Sequence, residues 1–126
     1  MSLIKLALPK GSLENATYKF VETSGYTIKG QSRTYRPIIS DKDIIVKVLR
    51  PQEIPKNIQE GTQDIGISGE DWIKENNADV LNLLNLGYGK VQIVVALSKS
   101  NKNKNFSALL SNQIKNKKPL RISTEY

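Results

Sequence analysis

The sequence predicts an α/β fold with a mainly parallel sheet flanked by helices. Two observations predict it. Short apolar, β-branched runs alternate along the chain with segments whose apolar residues recur at helical spacing. Most of these runs are closed by proline or glycine rather than continuing into one another. The 126 residues are 38% apolar and 25% charged, which fits one ordinary domain with a modest core.

Residues 3–8 (LIKLAL) alternate and then turn wholly apolar, which reads as a strand broken by Pro9-Lys10-Gly11. Ser12 is the expected N-cap of a helix in which Leu13, Ala16, Phe20 and Val21 share a face, and Gly25 is expected to close it. Residues 26–30 and 33–39 read as short strands or loop. Residues 43–50 (DIIVKVLR) form a β-branched strand stopped by Pro51. Pro55 fits the first turn of a short helix running to Glu60, with Gly61 ending it. Residues 64–68 (DIGIS) read as a strand, and 69–76 as a helix with acids in its first turn. Residues 80–86 and 91–98 are two more apolar runs, the first read as ending like a strand at Leu86, separated by residues 87–90 (GYGK). The Lys/Asn run 99–105 reads as a polar linker, 106–114 as a helix, and 120–126 as the start of another strand.

Composition excludes several function classes. With no cysteine there is neither a disulfide nor a thiolate metal site, and with no histidine the commonest general base and zinc ligand are gone. No apolar run approaches the length that spans a bilayer, and no signal peptide is evident; a cytoplasmic protein is expected. The net charge of +7 favours anionic partners. Zinc-finger spacing, bZIP heptads and aromatic RNA-binding signatures are missing, so most lysines read as solvated surface and nucleic acid is not the expected partner.

Ligands of open α/β sheets sit beyond the C-terminal ends of strands. Four such ends carry polar chemistry: Leu8 leads to Lys10, Gly11 and Ser12; Leu49 to Arg50; Ile67 to Ser68, Gly69, Glu70 and Asp71; Leu86 to Gly87, Tyr88, Gly89 and Lys90. Each alone is ordinary: a lysine after a strand is usually solvated, and Glu70 and Asp71 complement their own helix. Together they point to a phosphate-bearing ligand, although no Walker A or Rossmann fingerprint is present. Arg50 and the Ser68-Gly69 turn are expected to be adjacent lips of one crevice if their strands are neighbours.

The stretches LALPKGSLENAT, SRTYRPII, LRPQEIPKNIQEGTQDIGISGEDW and LLNLGYGKVQIVVAL occur here in the order of the N-terminal motifs of the ATP phosphoribosyltransferase family, which the chain resembles over essentially its whole length. The resemblance implies a lobe of the type II periplasmic-binding-protein kind. It implies a magnesium-dependent glycosyltransferase that joins ATP and phosphoribosyl pyrophosphate, releasing pyrophosphate, in the first step of histidine biosynthesis. It assigns Lys10 and Arg50 to catalysis as cations facing the substrates. Gly11, Arg33, Ser68, Gly69 and Asp71 are assigned to the ATP and phosphate site, and Leu86, Gly87, Tyr88 and Gly89 to the cleft floor; no protein metal ligand is assigned. Many relatives carry arginine where Ser12 stands.

The resemblance further implies that residues 1–126 form the first lobe only, without the second lobe that holds the phosphoribosyl-pyrophosphate loop and without any regulatory domain. Half a cleft, little turnover by the chain alone and a homo-oligomer are therefore expected. The rival readings are a lobe that binds a nucleotide or small anion without chemistry and, less favoured, a basic nucleic-acid binder.

Overall fold

Residues 4–9 put Leu6 and Leu8 on one face and Lys5, Ala7 and Pro9 on the other, and they form strand β1 (Ile4–Pro9). Helix α1 (Glu14–Thr23) follows a 3-10 turn over Gly11–Leu13. Strands β2 (Ile28–Lys29) and β3 (Ile38–Ile39) are two residues each, and β4 (Ile44–Leu49) is the β-branched run. Next come α2 (Ile54–Gln59), β5 (Ile65–Gly66), α3 (Glu70–Glu75) and, later in the chain, α4 (Phe106–Lys115). The computed structural model describes residues 2–31, 33–101 and 105–126; Ser32 in the SRTYRPII stretch and residues 102–104 of the polar linker lie outside the described residues.

The chain forms two compact units, Met1–Lys90 and Val91–Tyr126. In the first, β1 lies between β4 and β5 in an all-parallel sheet of order β4-β1-β5. β2 and β3 form a separate antiparallel ribbon. The β1–β4 register runs unbroken from Ile4↔Ile44 to Pro9↔Leu49. β1 is covered on both faces, as parallel strands require: Ala7 and Leu8 point in opposite directions and both are fully buried. On one face Leu8 and Val46 pack with Tyr18 and Val21 of α1 and with Ile28 and Ile39 of the ribbon. On the other, α2 lies against the sheet at Gly66, where an added Cβ would stand 2.6 Å from Ile54 Cγ2 and 3.0 Å from Ile58 Cδ1.

Helix α1 ends as its sequence predicts. Gly25 takes φ +97°, and the amides of Ser24 and Gly25 bond the carbonyls of Phe20 and Glu22 at 3.0 Å. Its beginning differs from expectation. Ser12 is not the N-cap; it lies inside the 3-10 turn, and the carboxylate of Glu14 reaches back to the amide of Gly11 at 3.4 Å. In the second unit α4 is capped by Asn105, whose side-chain oxygen accepts from the Ala108 amide at 2.8 Å, and its apolar stripe buries Leu109.

Two expected strands are corrected, and a third apolar run forms none. Residues 80–86, 91–98 and 120–126 carry no strand among the described residues, and Leu81, Val94, Val95 and Ile122 stand exposed. A strand is held by its neighbour's ladder, and an apolar run without a paired neighbour has no such bonds to fix it.

Two stability predictions follow from this packing. Gly66→Ala is expected to destabilise the chain by about 1–3 kcal/mol through overpacking against the fully buried Ile54, measurable by urea denaturation. The hydroxyl of Tyr18 is buried without a partner among the described residues. Burial, with the Glu14 carboxylate adding to it, raises its pKa above the ordinary 10.0. The folded state therefore holds this proton more tightly than the unfolded chain. Ionisation of Tyr18 therefore takes nothing from stability well below pH 10.0 and reduces it as pH rises beyond that value. Because the hydroxyl is buried without a partner, Tyr18→Phe is expected to be neutral to stabilising at pH ~7, by up to about 1 kcal/mol, and to blunt the alkaline loss in a pH series of thermal melts.

Candidate functional site

Parallel strands deliver their C-terminal ends to one side of the sheet. The β1–β4 ladder continues one residue past β1, where the Lys10 amide donates to the Leu49 carbonyl at 2.9 Å, so Lys10 and Arg50 leave adjacent strands side by side. β5 joins on the other flank of β1, where the Ile67 amide donates to the Ala7 carbonyl at 3.0 Å, and Ser68 follows at the same end. The condition set on the two lips is not met: β4 and β5 are not neighbours, because β1 runs between them. A hydrogen bond closes the gap instead. The Ser68 hydroxyl donates to the Pro51 carbonyl at 2.8 Å, tying the loop after β5 to the turn after β4 across the end of β1.

Each loop is locally braced. At Arg50, the carbonyl accepts from the Glu53 amide at 2.9 Å while the Arg50 amide donates to the Glu53 carboxylate at 3.2 Å. This reciprocal pair leaves the guanidinium exposed and without an ion pair among the described residues. The ammonium of Lys10 lies 5.0 Å from the centroid of the Tyr35 ring and donates to the Tyr35 hydroxyl at 3.4 Å. Tyr35 is itself moored, its carbonyl accepting from the Val48 amide at 2.8 Å. At Gly69 a Cβ would collide with the Asp71 carboxylate, so only glycine lets that side chain fold back over the start of α3. Glu70 pairs with Lys74 at 3.0 Å on the exposed face of α3.

The Gly87–Tyr88–Gly89 segment belongs to the same unit and docks on the helix that follows Lys10. The Tyr88 hydroxyl is 2.9 Å from the Thr17 hydroxyl, and the rings of Tyr88 and Phe20 lie 6.1 Å apart. Gly89, at φ +69°, leaves no room for a Cβ against Leu13, whereas nothing crowds Gly87. Leu86 is half-buried and ends no strand.

Lys10, Gly11, Arg50, Ser68, Gly69 and Asp71 thus share one end of the sheet. Arg33 is exposed two residues before Tyr35, and among the described residues only its backbone is bonded, to Gly30 at 3.4 Å. Sequence reasoning missed Tyr35, although it sits in the SRTYRPII stretch beside the chosen Arg33, and Thr17, a buried hydroxyl at the edge of the apolar stripe of α1. Among the described residues no group of three or more carboxylates converges as a metal cage would require, and no helix is long and apolar enough to cross a membrane.

The comparisons with known proteins agree on one family. A family model described as "HisG: ATP phosphoribosyltransferase" matches residues 50–126. The chain is 38% identical over 116 residues to the ATP phosphoribosyltransferase of Pelotomaculum thermopropionicum, covering 88% of this chain and 40% of that protein. It is 41% identical over 90 residues to the one from Geotalea uraniireducens, covering 71% of this chain and 31% of that protein. Among solved structures, the ATP phosphoribosyl transferase (HisG:HisZ) complex from Thermotoga maritima matches with a TM-score of 0.56 at 28% identity. That match covers 65% of this chain and 39% of the Thermotoga chain. The chain spans 31% and 40% of the length of the two curated relatives described above.

Thr17→Val is expected to release Tyr88 and destabilise the first unit by about 1 kcal/mol, since the half-buried Tyr88 hydroxyl loses its partner. Hydrogen exchange at Gly87 and Gly89 should speed up in this variant, and Thr17→Ser should restore it.

Proposed function

This chain belongs to the HisG family of ATP phosphoribosyltransferases, and from that premise we propose that the end of the β4-β1-β5 sheet is its substrate-binding edge. The proposed reaction joins N1 of the adenine of ATP to C1 of phosphoribosyl pyrophosphate. The N1–C1 bond forms, the C1–O bond breaks, and pyrophosphate leaves with the bonding electrons. Positive charge builds on the sugar and negative charge on the leaving group, so cations aimed at phosphate oxygens would favour the transition state. Holding two large anions in line would supply much of the remaining acceleration.

One observation carries this reading. The Pro9↔Leu49 register and the Lys10–Leu49 hydrogen bond place Lys10 beside Arg50, two cations with no carboxylate paired to either among the described residues. Lys10 and Arg50 would face phosphates, with the Gly11 turn beside them and Arg33 on the same approach. Ser68, Gly69 and Asp71 would line the nucleotide, and residues 86–89 would form the floor held by Thr17. We further propose that the fold is the first lobe of a periplasmic-binding-protein-like pair in a cytoplasmic enzyme. The Thermotoga neighbour, a HisG:HisZ complex, supports the expectation that the chain works within an assembly.

The family implies magnesium, yet the donors here do not make a cage for it. Glu53 is bonded to Arg50, Glu70 is paired with Lys74, and no third carboxylate joins them among the described residues. Magnesium in this proposal arrives with the polyphosphate, and no step is routed through it.

Isothermal titration of the chain with ATP is expected to show weak binding. Arg50→Ala and Lys10→Ala should each weaken it by about 1.5–3 kcal/mol where the contact is desolvated. Unchanged affinity in both variants would remove this edge as the nucleotide site.

A further inference from the structure

Lys10 and Arg50 leave adjacent strands side by side, and neither has an ion pair among the described residues. Two neighbouring cations repel each other. A carboxylate between them would relieve the repulsion, but it would also cancel the charge that a phosphate needs. Lys10 has a different partner. Its ammonium lies 5.0 Å from the centroid of the Tyr35 ring and donates to the Tyr35 hydroxyl at 3.4 Å.

The backbone sets this contact up. β4 is an outer strand of its sheet, with β1 on one side. Leu49 turns its carbonyl towards β1, where the Lys10 amide bonds it at 2.9 Å. Val48 turns its amide the other way, to the Tyr35 carbonyl at 2.8 Å. Lys10 and Tyr35 are thus fastened to consecutive residues of β4 from opposite sides. Two strand spacings, roughly 10 Å, lie between their backbones, and only the long side chains close that gap. Arg50 directly follows β4. The contact therefore holds the Lys10 ammonium over the end of the strand from which Arg50 leaves. A ring face and a phenol oxygen attract an ammonium without bringing a counter-charge.

We propose that Tyr35 is a positioning residue for Lys10, holding its ammonium beside Arg50 where the phosphates of the substrate bind. The inference rests on the reading of this edge as the phosphate site. It adds the loop between β2 and β3 to that site, through a side chain that acts on Lys10 and not on the substrate. A free lysine gives up rotamer freedom when it meets an anion, whereas one already held across β4 gives up less.

Calorimetric titration with inorganic triphosphate tests it, since this probe carries phosphate charge and no base for the ring to stack on. Tyr35→Leu is expected to weaken binding roughly threefold, the scale of an exposed cation–π contact. Tyr35→Phe keeps the ring and should weaken it less. In the Lys10→Ala background Tyr35→Leu should have no further effect, because a residue acting through Lys10 has nothing left to act on. Amide exchange at Val48 should be equal in the parent and in Tyr35→Leu, since the bond that moors the loop is made by backbone. If Lys10→Ala weakens triphosphate and Tyr35→Leu does not, the phosphate edge stands and the positioning role is overturned. An equal loss from Tyr35→Leu with and without Lys10 would also overturn it, because the ring would then act on the ligand or the fold directly. If neither Lys10→Ala nor Arg50→Ala weakens triphosphate, the edge reading itself fails and takes this inference with it.

Discussion

The parallel pairing of β1 with a strand on each side is the constraint on which the first unit depends. β1 is six residues long, and all six are in register with β4. Only two of them pair with β5, whose entry is set by Asp64 bonding both the amide and the carbonyl of Lys5. Because side chains alternate along a strand, a slip of one residue would turn Leu6 and Leu8 away from α1 and drive Lys5 and Pro9 into its place. The core face therefore locks the register, and the register sets which loops meet. The same ladder that buries Leu8 against Tyr18 and Val46 brings Lys10 next to Arg50 and Ser68 onto the same edge.

Parallel strands are brought together by contacts distant in sequence, and this sets what the sequence could and could not reveal. β1, α1, β4 and α2 were legible because each has its own local periodicity and its own breaker, Pro9, Gly25, Pro51 and Gly61, while α3 was marked by the acids of its first turn and α4 by its apolar stripe. The order of the strands was not legible, since nothing local to residues 43–50 or 64–68 says that β1 lies between them. The apolar runs at 80–86, 91–98 and 120–126 show the limit from the other side. Their alternation or β-branching is a strand signal, but a strand also needs a partner, and pattern alone supplies none. The start of α1 failed for a smaller reason. Ser12 has the chemistry of a cap, but Glu14, two residues later, reaches the Gly11 amide instead.

The site divides along the same line. That Lys10, Gly11, Arg50, Ser68 and Gly69 stand at strand ends was readable because a strand end followed by a cation or a small residue is a local pattern. Tyr35 and Thr17 were not, because their roles come from partners 25 and 71 residues away. Leu86 was chosen as the end of a strand that does not form. Its neighbour Tyr88 is nonetheless anchored, through a hydroxyl pair and a ring contact on α1 that no strand is needed to explain.

On the proposed reading of the edge, the contact between Lys10 and Tyr35 also decides whether the first cation is still available to an anion. An ammonium resting on a ring and bonded to a phenol could be read as already satisfied. It carries three donors, however, and the 3.4 Å bond to the Tyr35 hydroxyl uses one, and only weakly. The ring at 5.0 Å contributes attraction without consuming a donor. Tyr35 is 63% exposed, and no other protein acceptor bonds the remaining two among the described residues. The tyrosine thus restricts where the lysine points while leaving its charge unneutralised, unlike a carboxylate partner. A cation held this way beside Arg50 loses less side-chain entropy when a phosphate replaces its water. The interaction gains strength only as that water leaves. On the proposed reading, such an edge would be worth little while hydrated and more once a polyanion covered it.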